Sequence, residues 1–104
     1  MKRKILVSPG FGAGWTTWNS GETAKYMLTY QPVIDALENG EELTDSHPAI
    51  EQLKEDCRLM FGEEYVCVLG MRDLEVVEVS GRVRIHEYDG SESYEEEGHY
   101  DGWM

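Results

Sequence analysis

The chain is predicted to be an α+β domain, an antiparallel four- to five-stranded sheet with two helices packed on one face. Three observations predict it. Residues 32–39 and 48–61 carry apolar side chains at helical spacing, and each stretch opens on proline and is followed by glycine. From Tyr65 onward the apolar period changes to two. Two-residue turn signals, Ser80-Gly81 and Asp89-Gly90, then punctuate the chain. At 104 residues it is expected to form one domain, residues 1–94, followed by an acidic tail, 95–104.

Lys4 to Ser8 reads as a short strand. Ile5-Leu6-Val7 does not alternate, so both of its faces are expected to be buried. Pro9 ends it, because proline has no N–H to give to a ladder. Residues 10–28 show no clean period and are read as a long ordered loop held by Phe11, Trp15, Trp18, Tyr26 and Met27. In the first helix Val33, Ile34 and Leu37 form the apolar stripe. An acidic connection, Glu41-Glu42-Leu43-Thr44-Asp45, leads to the second, where Ser46 or His47 is the cap. Its stripe is Ile50, Leu53, Cys57, Met60 and Phe61, and Gly62 closes it.

Four strands are expected after Gly62: Tyr65–Leu69, Leu74–Val79, Arg82–Tyr88 and Ser91 to about Glu95. Ser80-Gly81 is expected to close a hairpin in which Val76 faces Ile85 and Leu74 faces Glu87. Asp89-Gly90 is expected to close the next, with Ile85 facing Tyr94. Leu74, Val76, Val83, Ile85 and Tyr94 then cover the helices. Val77, Val79, Arg82, Arg84, His86, Tyr88, Ser91 and Ser93 form the opposite face, which is polar and locally basic.

The net charge is −12, which repels nucleic acid and anionic membrane and suits basic protein surfaces. Within residues 1–30, Lys2, Arg3, Lys4 and Lys25 stand against Glu22 alone, a net of +3, so residues 31–104 carry −15. Cys57 and Cys67 are read as buried free thiols, in keeping with a reducing compartment. Lys2-Arg3-Lys4 is followed by only three apolar residues, too few for a signal peptide. No stretch has the roughly 20 apolar residues that span a bilayer.

The most distinctive segment is Ser8-Pro9-Gly10-Phe11-Gly12-Ala13-Gly14-Trp15-Thr16-Thr17-Trp18-Asn19. It is not a phosphate-cradling P-loop, because no Gly-Lys-Ser/Thr follows, and its Gly-x-Gly-x-Gly spacing is not the dinucleotide fingerprint. It places exposed backbone N–H groups beside stacking aromatics, a combination that suits a nucleobase with its phosphate. The same residues would also serve as a tight bend packed under the core. Ser8, Gly10, Phe11, Gly12, Gly14, Trp15, Thr16, Trp18 and Asn19 are therefore candidate ligand-binding residues. Arg82 and Arg84 join them, since guanidinium forks match phosphate oxygens; cross-strand pairing with acids is the alternative for the arginines. Catalysis finds little support. His47, His86 and His99 have no helical partner histidine or nearby cysteine, so no metal site and no cofactor are expected. Among the 21 carboxylates no pair stands out as acid and base.

Val-Ser-Pro-Gly-Phe-Gly-Ala-Gly-Trp (7–15), Arg-Asp-Leu-Glu-Val-Val (72–77) and Arg-Ile-His-Glu-Tyr-Asp-Gly-Ser-Glu-Ser (84–93) resemble segments of small, mostly uncharacterised bacteriophage proteins. The resemblance implies an infected bacterial cytoplasm and an accessory, host-directed role. It suggests two counter-defence strategies, both non-catalytic. The first sequesters a nucleotide-derived immune signal, a cyclic nucleotide or an ADP-ribose type, in the glycine and tryptophan segment of a homo-oligomer. The alternative is an anti-CRISPR-like decoy that mimics nucleic acid and inhibits a basic host defence protein through Glu41, Glu42, Asp45, Glu92, Glu95, Glu96 and Glu97. Neither strategy involves direct nucleic-acid or membrane contact.

Overall fold

The computed structural model describes residues 2–10 and 13–96. Its elements are β1 (Arg3–Val7), a 3-10 turn at Thr16–Trp18, α1 (Gly21–Leu28), α2 (Gln31–Glu38), α3 (Pro48–Phe61), a second 3-10 segment at Leu69–Asp73, β2 (Glu75–Val79), β3 (Val83–Tyr88) and β4 (Ser91–Glu96). The class is α+β. The strands form two separate antiparallel ribbons, β1 with β2 and β3 with β4, in place of the single four- to five-stranded sheet expected.

Side-chain chemistry explains the split. Ile5, Leu6 and Val7 are all buried, so β1 needs an apolar layer on each face. Leu6 packs into a large core with Trp15, Met27, Val33, Ile50 and Leu53, while Ile5 and Val7 join Leu28, Val79 and Val83 in a smaller one. β2 divides in the same way, Val76 towards the helices and Val77 and Val79 towards the hairpin. Two strands apolar on both faces therefore pair as a central ribbon, with Leu6 opposite Val76 and Arg3 opposite Val79. β3 buries one face only, through Val83 and partly Ile85, and serves as cover. The expected Val76–Ile85 pairing is thus replaced. Ser80-Gly81 links two layers and does not close a hairpin, and the Arg3 guanidinium donates from Nε to the Gly81 carbonyl at 3.1 Å.

The second turn follows its chemistry. Asp89 and Gly90 both have positive φ, 50° and 84°, as a two-residue turn matched to strand twist requires. The register it sets places Ile85 opposite Tyr94.

A third helix, α1, lies inside the stretch read as loop. Thr23, Ala24, Met27 and Leu28 are its buried residues, a helical stripe one turn apart. α2 and α3 match the prolines and glycines that announced them. Gly62 ends α3 at φ 70°, and His47 caps it, with Nδ1 accepting the Ala49 N–H at 3.0 Å. The expected strand at 65–69 is absent. Val66, Cys67 and Val68 are buried consecutively, and side chains satisfy their backbone: Asn19 accepts the Cys67 N–H at 3.0 Å and donates to the Cys67 carbonyl at 2.9 Å. Cys57 and Cys67 are both buried free thiols. β4 continues through Glu96, so Glu95 and Glu96 belong to the domain and not to a tail; Glu97 and the rest of the segment expected as tail lie outside the described residues.

Two phenols brace the helices. Tyr26 and Tyr30 each donate to Asp56 Oδ2 at 2.9 Å, and Gln52 donates to Oδ1 at 2.7 Å. Tyr26 also meets Phe61 edge-on at 5.7 Å between centroids. Burial and the adjoining carboxylate push the Tyr26 phenol up to about 12 and that of Tyr30 further up. Burial alone would raise Asp56, but the hydrogen bonds from Gln52 and the two phenols outweigh it and hold the carboxyl below its usual range.

Candidate functional site

The glycine and tryptophan segment follows β1, and its centre is a side chain from the far end of the chain. Glu92, on β4, is buried, and its carboxylate enters the loop. Oε1 accepts the Ser8 N–H at 2.9 Å. Oε2 accepts the Trp15 N–H at 2.7 Å, the Thr17 N–H at 3.0 Å and the Thr17 hydroxyl at 2.6 Å. The Glu92 N–H donates to the Ser8 carbonyl at 2.7 Å. Four donors converge on one anion, and a backbone hydrogen bond returns in the other direction. The cradle that a phosphate would need is real, and the protein's own carboxylate fills it.

The glycines serve this closure. A Cβ on Gly14 would stand 2.4 Å from Thr17 Oγ1 and 3.0 Å from Glu92 Oε2. One on Gly70 would stand 2.6 Å from the Gly14 carbonyl oxygen and 3.1 Å from Ser8 Oγ. Both are sites of close backbone approach. A Cβ on Gly10 would stand 2.8 Å from the Asp73 Cβ, so this glycine too sits at a close approach.

Several candidate ligand residues are therefore structural. Trp15 has no exposed surface, and its indole N–H donates to the Met27 carbonyl at 3.1 Å, so the ring is core and not a stacking platform. Thr16 is buried, and its Oγ1 has no hydrogen-bond partner among the described residues. Asn19 spends its amide on Trp15 and Cys67. Ser8 Oγ lies 3.2 Å from the Ala13 carbonyl and 3.1 Å from that of Gly70. Among the described candidates Trp18 alone keeps substantial exposure, 40%, and its N–H donates to Glu87 Oε2 at 3.2 Å, an acidic neighbour that disfavours phosphate. Phe11 and Gly12 lie outside the described residues.

Arg82 lies just before β3, and Arg84 sits on the face of the hairpin away from the Glu92 closure. Glu87 and Glu92 are a cross-strand pair on the face of the β3–β4 hairpin that meets the loop, whereas Arg84 pairs with Glu95 on the other face. His86 Nε2 lies 2.8 Å from Glu95 Oε1 there, so acid offsets the basic face.

The candidate acidic residues also divide. Glu92 is buried and unavailable to a partner, a correction that follows from its four donors. Glu95 faces His86, and Glu96 accepts the Ser80 N–H at 2.8 Å. Glu41 lies 2.8 Å from His47 Nε2, and Lys54 lies 2.9 Å from Asp45. Glu42 is exposed.

Two surface grooves adjoin this acidic connection. One, of about 490 Å³, is lined by Leu37, Leu43 and Met71 with Glu41, Glu42, Thr44, Asp45 and Arg72. The other, of about 460 Å³, is lined by Asp45, Glu51, Lys54, Glu55, Arg58, Glu63, Glu64, Tyr65 and Val66. Asp45 belongs to both. Sequence reasoning had missed the contribution of α3 and of residues 63–66, although Glu51 and Glu55 sit four apart, one helical turn.

Among the described residues no helix is long and apolar enough to cross a membrane, and no three His, Cys, Asp or Glu side chains are grouped to hold a metal ion. No family model, curated protein or solved structure matches the chain.

Proposed function

We propose that this protein works without catalysis, as an acidic decoy that occupies a basic, nucleic-acid-binding surface of another protein. The observation that carries this reading is the Glu92 closure. It takes up the Ser8, Trp15 and Thr17 N–H groups that flank the glycines, and with them a seat that a phosphate-bearing signal would use. What remains open to solvent is predominantly acidic. Lys2, Lys4, Lys54 and Arg58 are each paired with a carboxylate, to Glu78, Glu38, Asp45 and Glu55 respectively; Lys2, Arg3 and Lys4 line one groove with Glu78, a locally basic part of an otherwise acidic surface. In the counter-defence setting implied by the phage resemblance, the partner is a bacterial defence nuclease or effector in the host cytoplasm. Complementary charge would speed its encounter and make the complex salt-dependent.

The test is competition. Defence nucleases and CRISPR effectors are titrated with the protein while their DNA binding is followed by fluorescence anisotropy at 50 and 300 mM salt. Displacement that competes with DNA and weakens at the higher salt is expected. Absence of displacement at about 100 µM protein across the panel would refute the decoy reading, since that affinity corresponds to only about −5.5 kcal/mol. Calorimetry with cyclic nucleotides and ADP-ribose derivatives runs alongside. Binding of one of them, lost on changing Trp18, would restore the sequestration reading.

A further inference from the structure

β4 delivers the chain to a particular place on the surface. Glu96 is its last residue, and the Glu96 carboxylate accepts the Ser80 N–H at 2.8 Å. Ser80 directly follows Val79, which stands opposite Arg3 in the central ribbon, and the Arg3 Nε donates to the Gly81 carbonyl at 3.1 Å. The end of β4 therefore lies beside the strand end that carries Lys2, Arg3 and Lys4. These three cations line an open groove of about 560 Å³ with Thr29, Gln31 and Glu78. Lys2 and Glu78 are 3.6 Å apart and both more than half exposed, a pairing that contributes little. Glu38, at the end of α2, holds Lys4 at 2.6 Å. In the groove lining itself cations outnumber acids, in a protein of net charge −12.

The residues that follow Glu96 are Glu97-Gly98-His99-Tyr100-Asp101-Gly102-Trp103-Met104, which lie outside the described residues. They include two carboxylates and no lysine or arginine. In an extended chain Glu97, Asp101 and Trp103 fall on one side. The β3–β4 register sets Val83 opposite Glu96, and one further pair in that register sets Glu97 opposite Arg82. The segment then starts over the Ser80–Arg82 link, on the way to the groove. Its eight residues reach about 26 Å at roughly 3.3 Å each. The groove begins about 10–15 Å from Glu96: one side-chain hydrogen bond, one Cα step and one strand spacing. We infer that residues 97–104 of this chain fold back into the groove of Lys2, Arg3 and Lys4. Asp101 then meets the cations, and Trp103 lies on the lysine stems and ammonium groups. Covalent attachment supplies an effective concentration in the millimolar range, so contacts too weak to join separate molecules persist. Occupation of the groove covers a locally basic part of the surface. The inference stands on the groove and on where β4 ends, independently of the decoy reading.

A nitroxide attached to the full chain through Gly102→Cys reports the contact, because Cys57 and Cys67 are buried and escape the label. Paramagnetic broadening is expected at the amides of Lys2, Arg3, Lys4, Thr29 and Gln31, each losing at least half of its intensity. The broadening should fade at about 300 mM salt, where charges on the surface are screened. It should also be lost in Glu97→Lys/Asp101→Lys and in Lys2→Glu/Lys4→Glu. Combining the two double variants exchanges the charges and should restore it, which a general loss of structure would not do. Lys2 and Lys4 are exposed and outside the core, so the variants should keep the wild-type spectrum elsewhere. Broadening centred on α3 or on the Asp89-Gly90 turn, broadening spread evenly over the surface, or broadening that survives both charge reversals would overturn the inference.

Discussion

Glu92→Ala is the perturbation that most directly tests how this protein is held together. The wild-type carboxylate accepts three backbone N–H groups and one hydroxyl, all from residues 8–17. Hydrogen bonds to a charged group contribute about 1.5–3 kcal/mol each, so four set an upper bound of roughly 6–12 kcal/mol. Two effects reduce it. Burying the carboxylate itself costs free energy that the variant recovers, and water entering the vacated space rescues some donors. A net loss of about 3–5 kcal/mol is expected, as several buried donors are left partly unsatisfied at about 1–3 kcal/mol each. Against a total stability of about 5–15 kcal/mol for a single domain, that is a large fraction. Glu92→Gln keeps the shape. Its amide oxygen can take the Oε2 position with three donors, which leaves its NH₂ facing the Ser8 N–H, so a loss of about 1–3 kcal/mol is expected. Urea unfolding followed by tryptophan fluorescence measures both, because Trp15 is buried beside this site. Hydrogen exchange locates the effect: the Trp15 and Thr17 amides should lose protection in Glu92→Ala before those of α3 do. If Glu92→Ala costs less than about 1 kcal/mol, or the two amides stay protected, the carboxylate is not the organiser of the loop.

Other consequences follow from neighbouring contacts. Gly70→Ala forces its methyl against the Gly14 carbonyl and should lose about 1–3 kcal/mol in urea unfolding, and Gly10→Ala, whose methyl would stand 2.8 Å from the Asp73 Cβ, should lose a comparable amount. His47→Ala removes the acceptor for the Ala49 N–H and should cost about 1 kcal/mol, with His47→Asn restoring most of it if the ring acts as a cap. The phenols of Tyr26 and Tyr30 are raised in the fold, so their contribution is full below their unfolded value near 10 and is lost as pH climbs towards and past 12. Thermal unfolding should therefore weaken above about pH 10, and Tyr26→Phe should flatten that decline. Asp56 is lowered, which gives the opposite sign: its contribution is present above the unfolded carboxylate value near 4 and fades as acid protonates it in the fold. An Asp56→Asn variant whose acid limb matches wild type would contradict this.

The features legible in the sequence are those decided by a few adjacent residues. Pro48 and Gly62 bound α3 because each imposes its own backbone angle, and Asp89-Gly90 sets the Ile85–Tyr94 register because a two-residue turn permits only one. The unbroken Ile5-Leu6-Val7 already required apolar cover on both faces of β1. Local pattern failed where a partner lay far along the chain. Tyr65 to Leu69 has the composition of a strand, yet Asn19, 48 residues from Cys67, satisfies the Cys67 backbone and no ladder forms. Ser80-Gly81 resembles a hairpin turn, but β2 is apolar on both faces and gains more by pairing with β1. The glycine segment is the clearest case. Its composition fits an open cradle and a closed bend equally well. The choice fell to Glu92, one of 21 acids and 84 positions from Ser8, whose role appears only once β4 is brought against the end of β1. Hydrogen bonds between distant segments leave no periodicity in a chain, whereas backbone angles and apolar spacing do.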